Sequence, residues 1–153
     1  MAIRNIVKDG DPVLAKRCRP VEQFDARLEQ LVADMKETLK KANGVGLAAP
    51  QVGVLKRVFI IDLGDRMIEA INPEIVKTSG KQREVEGCLS VPNRWGYVTR
   101  PKHCTLRAYN CKGEQYEIKL SNLEARCACH EYDHLEGQLF TRLVDEFVTF
   151  EKE

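Results

Sequence analysis

Apolar residues recur at helical spacing early in the chain. Phe24, Leu28, Leu31, Val32, Met35 and Leu39 fall on one face of a 3.6-residue helix. They predict an amphipathic helix of about 18 residues. Asn43-Gly44 stops it, because both residues tolerate the left-handed backbone that ends helices. Ahead of it, Asp11-Pro12-Val13-Leu14 supplies an N-cap and a first-turn proline for a short helical start. A Gly- and Ala-rich stretch, Gly44 to Gly53, follows the long helix and reads as a loop. The pattern then changes to short apolar runs. Arg57–Asp62, Met67–Ile71, Glu74–Thr78, Cys104–Tyr109 and Gln115–Leu120 are predicted strands. Gly64-Asp65 marks a turn after the first, and Asn110–Gly113 a hairpin turn between the last two. Helical character returns from about Asn122 to Glu136. Ser121-Asn-Leu-Glu124 has the spacing of a capping box, and Gly137 follows the last turn. An extended tail, Leu139–Phe150, closes the pattern.

The order is helix, strands, helix, strand. This predicts an α+β fold, with antiparallel strands packed around a C-terminal helix, and not the βαβ alternation of a doubly wound sheet. The one Gly-x-Gly follows a helix and lacks a third glycine, so no dinucleotide fingerprint or phosphate loop is present. No repeat or linker interrupts the 153 residues, and residues 1–153 are expected to form one domain.

Charge narrows the function. There are 24 Lys and Arg against 23 Asp and Glu, a net +1, which argues against a dedicated nucleic-acid or anionic-membrane binder. The longest apolar run, Val58–Ile61, is far too short to span a bilayer, and no signal-like segment opens the chain. The cytoplasm is the expected compartment. The six cysteines are therefore expected as thiols, some of them ligands, and no C-x-x-C pair suggests a zinc ribbon.

The sharpest chemical signal is His130-Glu131-Tyr132-Asp133-His134, an H-E-x-x-H on the predicted C-terminal helix. Two histidines four apart are separated by about 40° around a helix, so both imidazoles can reach one ion. Glu131 lies between them, placed to serve as a base without being a ligand. A catalytic ion usually has a third protein ligand. No histidine follows His134, and 19 residues remain, so the third ligand is expected upstream. His103 is one candidate. Cys88, next to the flexible Gly87, is the better one. On H-E-x-x-H alone, the alternative is a zincin-type metallopeptidase. A third reading is a metal-stabilised binding module without turnover.

Three segments together go further. Gly44-Val-Gly-Leu-Ala-Ala-Pro-Gln51, Glu86-Gly-Cys-Leu-Ser90 and His130-Glu-Tyr-Asp-His134 resemble, in order and rough spacing, the three motifs of the peptide deformylase family. Asp11-Pro-Val-Leu14 is similar as well, so the resemblance spans essentially the whole chain. It implies a hydrolase that removes the N-formyl group from the initiator methionine of new polypeptides and releases formate. It implies one divalent metal ion, Fe(II) natively, with Zn(II), Ni(II) or Co(II) compatible with the same donors, held by Cys88, His130 and His134. Glu131 would be the general acid and base, with Gln51 and the backbone N–H of Leu89 as oxyanion donors. Val45, Leu123 and Cys127 would line the methionine pocket. Gly46 would offer backbone hydrogen bonds to substrate, Glu86 would pair with Arg100 nearby, and Asp133 would have a supporting role. The implied partners are N-formyl-methionyl nascent polypeptides, close to the ribosome, with no specific nucleic-acid and no membrane binding. Cys129 stands where many members carry Gln, Arg94-Trp95 where many carry an Arg, and the 16 residues after Gly137 leave no room for the long terminal helix of some members.

Overall fold

A computed structural model describes residues 2–148. In chain order its elements are α1 (Ala26–Ala42), β1 (Gly46–Ala48), β2 (Val58–Asp62), β3 (Met67–Ser79), β4 (Gln82–Cys88), β5 (Val91–Arg100), β6 (His103–Tyr109), β7 (Gln115–Ser121), α2 (Leu123–Leu135) and β8 (Val144–Val148). A five-stranded antiparallel sheet has the order β1-β2-β3-β6-β7, and a three-stranded antiparallel sheet the order β4-β5-β8. The architecture is α+β. Among the described residues, no helix is long and apolar enough to cross a membrane.

β2 explains how the layers stack. Val58, Phe59, Ile60 and Ile61 are all fully buried. A strand covered on both faces needs apolar residues at every position, not every second one. Phe59 and Ile61 pack with Ala125, Ala128 and Leu135 of α2. Val58 and Ile60 pack with Leu28, Met35 and Leu39 of α1. The two helices thus cover opposite faces of the larger sheet, and α2 is pressed between it and the smaller one.

The helix ends follow from local chemistry. The Asp25 side chain accepts a hydrogen bond from the Leu28 N–H at 3.1 Å and so caps α1. Asn43 ends it in the left-handed conformation, φ 55°. Phe24 lies before the helix and packs on Tyr109 instead. At α2 the predicted capping box is only half made. The Ser121 N–H donates to Glu124 Oε1 at 3.5 Å, but Ser121 Oγ is engaged by His103 Nδ1 at 2.8 Å and Asn122 occupies the cap. Ser121 ends β7 opposite His103, so strand pairing takes the hydroxyl that the helix would use.

Other departures from the sequence pattern have equally local causes. The two predicted runs at 67–71 and 74–78 form one 13-residue strand, β3, with register shifts near Asn72-Pro73 and after Ile75. Asn72 absorbs the irregularity at φ 50°, and its amide bonds both the N–H and the carbonyl of Val21, at 2.7 and 2.9 Å. The presumed loop at 44–53 contains β1 and a 3₁₀ turn, Ala49–Val52. The tail holds a 3₁₀ turn, Phe140–Leu143, before β8, while positions 149 and 150 of the predicted extension lie outside the described residues.

Candidate metal centre and active site

The inner face of α2 carries His130, Glu131 and His134, all buried. The two imidazoles meet edge to face with centroids 5.1 Å apart, and Phe140 stacks on His130 at 5.8 Å. Opposite them, β4 breaks register between Glu86 and Cys88. This kink turns Cys88 toward the helix, with Sγ 3.4 Å from His134 Nε2. One donor atom each from Cys88, His130 and His134 lies within 4.8 Å of the others. His103 is outside this cluster, exposed on β6.

These residues fit a divalent ion. A thiolate with two imidazoles is a mixed soft and borderline donor set suited to first-row transition metals. Metal bonds of about 2.0–2.3 Å place tetrahedral ligands roughly 3.5 Å apart, close to the separation observed. The surroundings agree. Among the described residues, Glu131 Oε1, beside the donor cluster, is buried without a hydrogen-bond partner. Buried polar atoms rarely stay unsatisfied unless a site uses them. Burial lifts the Glu131 carboxyl to about 7, above the ordinary carboxylate range.

Glu131 faces β1. A Cβ on Gly46 would stand 2.6 Å from Glu131 Oε2, so glycine is what allows strand and carboxylate to meet. Gly44 is similarly constrained, since a Cβ there would meet Leu39 and Leu89 at 2.8 Å each. Gln51 is buried, and its amide has a fixed orientation. Oε1 accepts from the Ala48 N–H at 2.9 Å, and Nε2 donates to Ser90 Oγ at 3.1 Å and toward Cys88 Sγ at 3.6 Å. The amide donor is therefore held on the side of the three ligands. Val45 and Leu123 are exposed, while Cys127, on α2, is buried in the core.

A buried ionic cluster backs the site. Arg100 forks onto Glu86, Nε to Oε2 at 2.9 Å and Nη2 to Oε1 at 3.0 Å, and reaches Asp133 with Nη1 at 2.6 Å. This is an interior pair, with both side chains about 5% exposed, and not a surface one. His130 Nδ1 meets Glu86 Oε1 at 2.8 Å. Burial opposes ionisation of Glu86, but the hydrogen bonds from His130 and Arg100 outweigh it and hold the carboxyl down at about 2. A carboxylate on Nδ1 fixes the imidazole so that Nε2 faces the ligand cluster.

Sequence reasoning missed two partners. Ser90 anchors the Gln51 amide. Arg126 is buried and joins Glu86 from α2. It stands four residues before His130 on the same face of the helix, but its partner lies on another element and leaves no trace near it in the sequence.

The comparisons with known proteins agree with this geometry. A family model described as polypeptide deformylase matches residues 3–149. The peptide deformylase of Clostridium botulinum (strain Alaska E43 / Type E3) is 57% identical over 140 residues, 92% of this chain and 95% of that one. A crystal structure of a peptide deformylase from Legionella pneumophila superposes with a TM-score of 0.92 at 42% identity, covering 94% of this chain and 87% of that one. The peptide deformylase of Thermotoga maritima gives a TM-score of 0.92 at 39% identity, covering 95% and 99%. With the match running almost from end to end, the chain belongs to the polypeptide deformylase family.

Proposed function

We propose that this protein hydrolyses the N-formyl group from the terminal formyl-methionine of nascent polypeptides, giving formate and a free amine. The observation that carries the reading is the convergence of Cys88, His130 and His134 on one point with the buried Glu131 beside them. Cys88, His130 and His134 would hold the divalent ion, Fe(II) natively, and Zn(II), Ni(II) or Co(II) suit the same donors. When bound, the ion supplies Lewis acidity and brings the pKa of coordinated water toward neutrality.

The protein side of the chemistry is proton handling and charge stabilisation. Glu131 takes a proton from the attacking water and returns it to the leaving amine. The Gln51 amide and the Leu89 N–H donate to the oxygen of the formyl carbonyl as it gains charge, and each such donor is typically worth about 3 kcal/mol. Gly46, on the edge strand β1, pairs with the substrate backbone in the manner of an added strand. Val45, Leu123 and Cys127 receive the methionine side chain, and the Glu86–Arg100 pair supports that wall. Residues 1–153 act as one catalytic domain, working on emerging chains near the ribosome in the cytoplasm.

A peptidase reading loses support because the third donor comes from upstream, from Cys88, and because of the family to which the chain belongs. The decisive experiment compares formate release from formyl-Met-Ala-Ser with cleavage of an unformylated peptide. Formate without peptide-bond cleavage is expected. Cleavage without formate would refute the proposal.

A further inference from the structure

Arg126 precedes His130 by four residues, one turn away on the same face of α2. Both side chains reach the same carboxylate. Arg126 Nη1 donates to Glu86 Oε2, and His130 Nδ1 meets Glu86 Oε1. Arg126 Nη2 also donates to the Gln82 carbonyl of β4 at 3.2 Å and the Val98 carbonyl of β5 at 3.0 Å. Glu86 stands two residues before Cys88 on β4. The helix that carries two of the converging donors is thus gripped at two heights by the strand that carries the third. Arg100 fixes the plane of the carboxylate from β5, but it holds the helix at Asp133, beyond His130. The grip on the N-terminal side belongs to Arg126.

We propose that Arg126 is a positioning residue for the metal site, acting through Glu86 to set the height and rotation of α2 against β4. This rests on the reading of Cys88, His130 and His134 as ligands. Metal–ligand distances tolerate only about 0.2 Å, so a small drift of the helix lowers affinity before it disturbs the fold. Loss of Arg126 leaves Glu86 Oε2 with Arg100 alone and frees the Gln82 and Val98 carbonyls. Arg100 still holds the carboxylate plane, but α2 loses its tie to β4 ahead of His130 and is free to shift against Cys88.

The test uses Co(II) as the probe, titrated under nitrogen into metal-free protein. Its visible and thiolate charge-transfer absorption reports the ligand set and its geometry. Arg126→Met and Arg126→Gln, each checked for folding by circular dichroism, are expected to bind Co(II) about tenfold more weakly or worse, with an altered spectrum. If the methionine variant does not fold, the glutamine variant carries the test. Parental affinity and spectrum in a folded variant, with any loss confined to thermal stability, would overturn the inference. His130→Ala separates the two levels. It is expected to lose the parental spectrum. If it keeps it, the ligand reading falls and the inference with it. If it loses the spectrum while the Arg126 variants keep theirs, the inference alone falls.

Discussion

Replacing Gly46 with alanine adds one methyl group and tests whether catalysis depends on where Glu131 stands. The backbone raises no objection. Gly46 is not among the glycines with positive φ, and alanine in a strand gains up to about 1 kcal/mol over glycine. The new Cβ, however, would lie 2.6 Å from Glu131 Oε2, 3.0 Å from Cδ and 3.1 Å from Cγ. Ordinary contact begins near 3.4 Å, so the carboxylate must retreat by about 0.8 Å. The far end of a side chain can do this at little cost to stability. Catalysis has less latitude, because a displacement of about 1 Å can cost about 100-fold in rate. In Gly46→Ala, kcat for formyl-Met-Ala-Ser should therefore fall about 100-fold. KM should change little, since the Gly46 N–H and carbonyl remain. Metal content should not change, because Glu131 is not a ligand, and the melting temperature should hold or rise. Formate release, metal analysis and a thermal melt on one preparation decide the matter. Parental kcat with parental metal content would refute the reasoning.

Glu131→Gln should keep its metal and lose about 10²–10⁴ in kcat, because an amide cannot accept the proton; near-parental turnover would sink the acid–base assignment. Cys88→Ser should lower metal occupancy, since a hydroxyl replaces a thiolate poorly, whereas His103→Ala should keep its metal; elemental analysis reads both. Asn72→Ala removes two part-buried hydrogen bonds to Val21 and should lower unfolding free energy by about 2 kcal/mol in urea titration, with activity retained.

Legibility in the sequence followed how local the cause was. The stripe from Leu28 to Leu39 and the unbroken Val58–Ile61 run encode α1 and β2, because one buried face or two leave a direct trace in residue order. β4 and β5 leave little. In Gln82–Cys88 only Glu86 is buried, and it is a charged residue satisfied by partners from other elements, so no apolar alternation exists to read. The same division runs through the site. His130, Glu131 and His134 are spaced by one helix and stand out unaided. Cys88 gained its place from the family motif, since its approach to His134 crosses 46 residues of chain. Arg126 was missed because a lone arginine looks solvent-bound until Glu86 is placed opposite it. Ser121 shows the reverse error, a correct local motif overruled by a strand partner, His103.

Gly87 has no side chain, and the six-membered ring of Trp95 occupies the space where its Cβ would be. Trp95 is the only tryptophan of the chain, and it remains 42% exposed. The indole thus rests on the backbone next to Cys88, while part of it remains exposed. Indole emission depends on both kinds of neighbour. The protein consequently carries an intrinsic optical gauge at the strand that bears Cys88, with no second indole to blur it. Metal loading and loss at Cys88 are therefore expected to change the emission of this ring, which follows both in real time on unlabelled protein.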